Sequence, residues 1–350
     1  MKIGKRFFAL FTTLLILVAV LAGCNKSAAP SNSAGGKPSG EEEASGEKEL
    51  IKLRVAVMTG TFTQYTALIG KEQDIFKKYG IDLEITEYAA GINTIDAVVS
   101  GQADIGMMAD FAAVNRIGNT LDSTNLILIS EIQGGSVIGG LYVAPEYADN
   151  LSALSGKGFI NSVGTVQEYY NSTVFQKLGF DEKQQKLLNS DGNSTSLALA
   201  QSGDASAVFA SGASTSYYED LGWKKALSAE ELGIATYSYY LTTTAYNTEN
   251  TRLIADFLTA TQESYDYIVN HLEDAASYFE SSLGLSAKDF TKDWTAAKSR
   301  IGFSEDGVKQ LETIAAWAYQ NDRYPKEYDI REYINTDALK IAYPDKITIQ

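Results

Sequence analysis

Two segments of this chain, about a hundred residues apart, follow the same order of residue types. Residues 98–110 read VVSGQADIGMMAD, and residues 200–212 read AQSGDASAVFASG. In each, Ser-Gly closes a helix-like stretch, and a short apolar run and a loop of small residues follow. A motif this short can recur by chance, so it needs support from its surroundings. If both copies fold alike, the chain contains two lobes built from the same helix–turn–strand–loop unit.

The residues around both copies alternate between strand-like and helix-like segments. The first run begins at Leu50, and the pattern restarts after about residue 150. Strand-like segments lie at residues 51–58, 81–88, 103–108, 126–132, 156–163, 186–190 and 205–211. Helix-like segments lie between them, and the last hundred residues or so are mainly helical in pattern. This alternation predicts βαβ units and an α/β fold in which mostly parallel sheets are flanked by helices.

The first 49 residues differ in composition and are not expected to join this fold. MKIGKR is a basic head, and residues 7–23 form an apolar run of 17 residues that ends before Cys24. This order is typical of a secretory signal peptide over residues 1–23. The alternative is an uncleaved membrane anchor, for which the apolar run is a little short. Residues 24–49 are rich in Ser, Gly, Ala, Pro and charge, which predicts a flexible tether.

Charge and the rare residue types exclude several classes of function. The net charge is −15, which disfavours nucleic acid as a partner because phosphate binding needs Lys and Arg. Cys24 and His271 are the only residues of their types, so we expect no disulfide, no Cys–His nucleophile and no metal site. No P-loop or GxGxxG motif is present. We therefore expect neither an enzyme nor a bound cofactor.

Several segments, in order along the chain, resemble one family. IFKKYGIDLEI (residues 75–85), VVSGQADIG (98–106) and GKGFINSVGTVQEYYNSTVFQKLGF (156–180) are similar to the solute-binding proteins of nitrate, sulfonate, taurine and thiamine-precursor ABC importers, the SsuA/THI5-like family. AAWAYQNDRYPKEYDIREYINTDAL (315–339) resembles the C-terminal ending of that family. The resemblance covers roughly residues 51–342. Separately, LAGC at residues 21–24 resembles the lipobox of bacterial lipoproteins.

The resemblance implies a two-lobed, periplasmic-binding-protein-like type II fold with a ligand cleft between the lobes. Open α/β sheets bind ligands beyond the carboxyl ends of their strands, so two equivalent units would grip one solute from both sides. The crossovers between lobes are expected near residues 138–146 and 238–247. The expected divisions are residues 50–140 for the first segment of lobe 1, 141–243 for lobe 2, and 244–350 for the return to lobe 1.

The same resemblance implies a transport receptor rather than a catalyst. A monomer would capture a small organic solute by lobe closure and deliver it to a membrane permease and its ATPase. The lipobox implies acylation of Cys24, by palmitate or a related chain, and anchoring on the outer face of a bacterial cell membrane. The sequence equally permits a lipid-anchored sensor that has the same ligand domain and a signalling partner.

Candidate ligand-binding residues lie in or beside the loops that follow the predicted strands. Glycine lets backbone N–H groups approach a ligand closely, and Ser, Thr or Asn at a helix start can bind the ligand's polar edge. Simple capping of the helix explains each hydroxyl and amide equally well. The candidates are Thr61, Phe62, Asn93, Asp110, Gly135, Ser136, Thr165, Glu168, Tyr169, Asn193, Ser211 and Tyr237.

The charge of the ligand stays open at this point. The candidate loops contain Asp110, Glu168 and Asp191 beside several aromatic residues, but no Lys or Arg. This mixture slightly favours a neutral or cationic aromatic heterocycle over nitrate or a sulfonate. Helix N-termini in the same loops would suit an anion. Each acid also has a structural explanation: a helix cap, a first-turn acid and a turn residue, respectively.

Overall fold

The computed structural model describes residues 49–123, 125–212, 214–296 and 299–349. The predicted signal peptide, the predicted acylation site Cys24 and nearly all of the predicted tether lie outside the described residues. The described residues form one compact unit. No helix among the described residues is both long and apolar enough to cross a membrane.

A six-stranded sheet forms the first lobe. The first three strands are parallel neighbours, with Ile51 opposite Ile81 and Val55 opposite Ile105, and the fourth and tenth run antiparallel to each other. The tenth strand is inserted between the third and fourth. The sheet has the order β11-β4-β10-β3-β1-β2, with β1 at Ile51–Met58, β2 at Ile81–Tyr88, β3 at Ile105–Ala109, β4 at Leu126–Ser136, β10 at Ala235–Thr243 and β11 at Ser299–Gly302.

A five-stranded sheet forms the second lobe, and it is covered on both faces. Leu141 and Phe209 face one apolar cluster, whereas their neighbours Tyr142 and Val208 face another, as the period of two in a strand requires. The sheet has the order β7-β6-β8-β5-β9, with β5 at Gly139–Val143, β6 at Gly158–Asn161, β7 at Lys186–Asn189, β8 at Ala207–Ser211 and β9 at Lys224–Ser228.

Helices connect the parallel strands of both lobes, and the C-terminal helices pack onto the first. The predicted helix over residues 63–80 is interrupted at Asp74, whose φ of 53° ends one helix and begins the next. The helices are α1 at Phe62–Glu72, α2 at Ile75–Lys78, α3 at Gly91–Val99, α4 at Asp110–Thr120, α5 at Val166–Leu178, α6 at Asn193–Gln201, α7 at Ser214–Asp220, α8 at Thr244–Asn270, α9 at Leu272–Leu283, α10 at Ala287–Ala296, α11 at Glu305–Gln320 and α12 at Asp337–Ala342.

These two lobes confirm the predicted two-lobed α/β architecture. The chain leaves the first sheet after Ser136 and enters the second at Gly139. It returns at Ala235, so β10 belongs to the first sheet, whereas the sequence-based boundary at residue 243 placed it in lobe 2. The physical reason is burial: Tyr239 and Tyr240 of β10 pack into the core of the first lobe. The short strands β5, β9 and β11 were not predicted.

Candidate functional site

The three parallel strands of the first lobe end at one edge of their sheet. Met58 of β1 is opposite Tyr88 of β2, and β3 lies on the other side of β1. The helices α1, α3 and α4 begin directly after these ends. Their free backbone N–H groups therefore collect at a single edge, which carries the positive ends of the helix dipoles.

The second lobe repeats this arrangement. β6 runs parallel to both β7 and β8, and α5, α6 and α7 begin just beyond the carboxyl ends of the three strands. The repeated sequence segments occupy equivalent places, because each covers the end of a helix and the whole of the following strand, β3 or β8. The first segment ends at the first residue of α4, and the second ends at Gly212, two residues before α7. The duplicated pattern thus corresponds to a duplicated structural unit.

The two edges adjoin the connections between the lobes. Ser238 of β10 is opposite Ala109, the last residue of β3, so the return strand enters the first sheet at its carboxyl edge. In the second lobe Gly139, the first residue of β5, is opposite Ser211, the last residue of β8. The segment 137–138 therefore joins one carboxyl edge to the other. The candidate site is the cleft bounded by these two sets of loops.

Four polar candidates lie at the cleft edges. Asn93 near the start of α3, Asn193 at the start of α6 and Ser211 are exposed. Thr61 precedes α1, and its hydroxyl donates a hydrogen bond of 2.7 Å to the carbonyl of Met58. The side chains of Asn93, Asn193 and Ser211 are therefore accessible from solvent, and their contact with a ligand stays a prediction.

The start of α5 is stabilised from within the second lobe. Thr165 is the N-cap, and its hydroxyl oxygen accepts from the backbone N–H of Gln167 at 3.2 Å. Glu168 accepts from the N–H of Gly164 at 3.0 Å. These bonds resemble a capping box, in which a Thr and a Glu three residues later satisfy the free donors of a first turn. Glu168 is buried, and its carboxylate is therefore committed to the fold.

Asp110 is fully buried at the junction of the lobes. One carboxylate oxygen accepts from the N–H of Phe111 at 2.8 Å and the other accepts from the N–H of Tyr237 at 3.0 Å. Burial raises the pKa of Asp110 to about 7, and these backbone donors partly offset that rise. The sequence placed Asp110 in the cleft as a ligand contact. Instead, the carboxyl group joins the start of α4 to the return strand beneath the cleft.

Tyr237 and its neighbours on β4 form the junction itself. The ring of Tyr237 lies over Gly134, where a Cβ would come within 2.0 Å of ring carbon Cδ1. Gly135 is opposite Thr236 and has a φ of 122°, and Ser136 is opposite Ala235. The register of β4 and β10 places Tyr237, Gly135 and Ser136 where the two antiparallel connecting strands pair, and their contact with a ligand stays a prediction.

Phe62 contributes to the first core rather than to the cleft surface. It is the first residue of α1 and is 5% exposed. Its ring is stacked on Trp294 of α10 at 5.2 Å and lies 5.4 Å from the ring of Tyr265. The sequence pattern could not reveal this burial, because Trp294 lies more than two hundred residues further along the chain.

Sequence reasoning missed a set of contacts between α5 and the end of α11. Arg323 Nη1 lies 3.2 Å from Glu168 Oε1. Trp317 donates from Nε1 to the hydroxyl of Ser172 at 2.8 Å and meets the ring of Tyr169 edge-on at 5.6 Å. The lobes are thus held together beside the cleft. Trp317 and Arg323 belong to the C-terminal segment that carried the family resemblance, and that segment was the available signal.

A family model described as NMT1/THI5 like matches residues 62–275 of the chain. A comparison of the sequence with curated proteins gives no match.

Solved structures of known proteins share the fold. The aliphatic sulphonate binding protein SsuA from Escherichia coli superposes with a TM-score of 0.70 at 18% identity, over 81% of this chain and 97% of that one. The alkanesulfonate-binding protein SsuA from Xanthomonas axonopodis pv. citri, solved with MOPS, gives 0.68 at 14% identity, over 81% and 98%. The desulfurization enzyme DSZB gives 0.63 at 11% identity, over 84% and 99%. The same architecture thus occurs in binding proteins and in an enzyme.

Proposed function

The chain belongs to the NMT1/THI5-like family, and on that basis we propose that it is the solute-binding receptor of an ABC importer. The observation that carries the proposal is the pair of equivalent loop sets at the carboxyl edges of two sheets, joined by the segment 137–138 and the return strand β10. Such an arrangement suits the capture of one small solute by movement of the lobes about their connections.

The proposed ligand is a small organic molecule with an anionic or strongly polar group. The sequence leaned toward a cationic or neutral heterocycle because the candidate loops hold Asp110, Glu168 and Asp191 beside aromatic residues. The carboxyls of Asp110 and Glu168, however, are buried and used within the fold. Asp191 is exposed at the second edge, and its carboxylate accepts from the hydroxyl of Thr195 at 2.6 Å. The other polar groups of the candidate loops are hydroxyls, amides and the N-termini of helices, which favour negative charge. Proteins that share the fold bind aliphatic sulphonates or alkanesulfonates, which are anions of this kind.

Binding without catalysis is favoured by the placement of the reactive side chains. The fold alone does not decide the question, because a desulfurization enzyme shares it. His271 lies at the junction of α8 and α9, where its ring stacks on Tyr267 at 4.5 Å, and not in any loop of the cleft. Cys24 precedes the described residues and carries the lipobox pattern. We assign Cys24 to the proposed anchor, which would hold the receptor beside a membrane permease and its ATPase.

A thermal-unfolding screen of the purified protein tests the receptor proposal. The panel contains methanesulfonate, taurine, nitrate, thiamine and an aminopyrimidine precursor. A ligand at a hundred times its dissociation constant adds about 2.7 kcal/mol to the free energy of unfolding and shifts the midpoint by several degrees. A shift with sulfonates supports an anionic ligand, and a shift with pyrimidines alone would restore the heterocycle. Turnover of any of these compounds would contradict the receptor assignment.

A further inference from the structure

Val163 and Ile138 are the two most exposed large apolar side chains in the described part of the chain. Their exposed fractions are 65% and 62%, respectively, whereas the next highest value is 56%, for Ile51. Single exposed apolar residues are ordinary on a protein surface and carry no meaning. These two, however, lie at the same edge of the same sheet.

That edge is the cleft edge of the second lobe. Val163 follows β6, in the loop that leads to the N-cap Thr165. Ile138 immediately precedes β5, and its carbonyl accepts from the N–H of Gly212, just beyond the end of β8. In the sheet, β8 separates β6 from β5. Two strand spacings separate the positions by roughly 10 Å, with the β8 loop between them.

Val163 lies on a turn, where glycine and polar residues are usual. Thr165 donates through its N–H to the carbonyl of Ser162, which makes residues 162–165 a turn with Val163 at its second position. Gly164, at the third position, has a φ of 76°, and some types of β-turn need a positive φ at that position. A β-branched aliphatic residue on the tip of a turn gains nothing for the fold, because its side chain packs against little else.

Polar groups lie directly beside the two aliphatic side chains. Ser211 at the end of β8 and Asn193 at the start of α6 are both exposed at this edge. The edge therefore combines groups that bind a polar or anionic headgroup with groups that bind hydrocarbon. This combination is typical of sites for small organic molecules, in which apolar walls surround a few polar contacts.

We infer that Ile138 and Val163 form an apolar subsite of the cleft, which selects solutes with a hydrocarbon portion attached to the polar group. The inference rests on the proposed receptor function and extends it. The occupant is the alkyl or aryl part of the ligand. A fully inorganic anion such as nitrate leaves both side chains in water and gains nothing from them.

The test uses methane-, ethane-, propane- and butanesulfonate as probes, with dissociation constants measured by calorimetry on the purified protein. For the unmodified protein, each added methylene raises the affinity about fourfold, the equivalent of roughly 0.8 kcal/mol per buried CH₂. In the double variant Ile138→Ser/Val163→Ser the gain falls below about twofold per methylene, because less apolar surface meets the chain. The affinity for methanesulfonate changes little.

Val269→Ser is the matched control. Val269 is also exposed, at 50%, but it lies in α8 of the first lobe and not in a loop of the cleft. Replacement by serine at this site should therefore leave the gain in affinity per methylene unchanged. Unfolding midpoints of all variants establish that they fold, and exposed positions should shift these midpoints little.

The outcomes separate the two proposals. The apolar subsite is wrong if the unmodified protein binds the probes but its affinity does not rise with the length of their alkyl chain. It is also wrong if the double variant retains the full rise in affinity. Neither result contradicts the proposed receptor function. If no sulfonate in the series binds, the proposed ligand class fails, and the subsite fails with it.

Discussion

The carboxylate of Glu168 and the guanidinium of Arg323 join the two lobes through an ion pair, Oε1 to Nη1, of 3.2 Å. Glu168 is in the first turn of α5, beside the cleft, whereas Arg323 follows α11 of the first lobe. The same carboxylate accepts from Gly164 in the loop that leads to α5. One side chain thus connects the cleft loop of lobe 2 to the body of lobe 1.

A double-mutant cycle over Glu168→Gln and Arg323→Gln should give a coupling energy of about 1 kcal/mol in chemical unfolding. The value is modest because the Arg323 side chain is 36% exposed and is screened by water. Glutamine can still accept from Gly164, so Glu168→Gln removes the charge without removing that bond. High salt should reduce the coupling.

The pair Asp337 and Lys340 provides the matched control for this cycle. It spans 3.1 Å within one helix, and both side chains are more than half exposed. Its coupling should be only a few tenths of a kcal/mol. A Glu168–Arg323 coupling no larger than this control would show that the ion pair contributes nothing to holding the lobes together.

Gly134→Ala should destabilise the junction by roughly 1–3 kcal/mol, the usual cost of overpacking. The added Cβ would lie 2.0 Å from Tyr237 Cδ1, so the ring must leave its place over Gly134. Gly192→Ala is the control, because a Cβ there meets nothing within 4 Å and the backbone is extended, with a φ of 170°. Thermal unfolding measures both. Equal midpoints for the two variants would mean that the ring relocates without cost.

The fold was readable from the sequence because it depends on local patterns. Alternating strands and helices, the repeated Ser-Gly units and the left-handed glycines at helix ends, such as Gly179, are encoded within a few residues of one another. The structure has these elements where the pattern places them. The strands β5 and β9 were not predicted because they lie outside the repeated strand–helix pattern: β5 runs antiparallel to both β8 and β9.

The site was less readable because burial there is decided by distant residues. In the sequence, Asp110 and Glu168 look like acids that face the cleft. In the structure, Asp110 accepts a hydrogen bond from the N–H of Tyr237, and Glu168 forms an ion pair with Arg323. Those partners come from segments more than a hundred residues away along the chain. Patterning identifies which loops face the cleft, but it does not show which side chains in those loops remain free for a ligand.

Replacement of Cys24 tests the proposed anchor. In a bacterial host grown with a labelled palmitate analogue, the unmodified chain should incorporate label and sediment with membranes. Cys24→Ser should abolish the label and release the protein, because the proposed anchor depends on the thiol of Cys24 as the acyl acceptor. Ser27→Ala, a similar change three residues away, should alter neither. Label that persists in Cys24→Ser would contradict acylation at this residue.

The buried carboxyl of Asp110 should make stability depend on pH. Burial raises its pKa from 3.8 to about 7, so between these values the folded state holds a proton that the unfolded state releases. The free energy of unfolding should therefore fall as pH rises from about 4 to 7. Asp110→Asn cannot bind or release this proton. The difference between the unfolding midpoints of the unmodified protein and of Asp110→Asn should therefore change by several degrees between pH 5 and pH 8.

The nearby phenols of Tyr169 and Tyr170 do not titrate in this range, because burial raises the pKa of each above its usual value of 10. Parallel midpoint curves for the two proteins would show that Asp110 has an ordinary pKa.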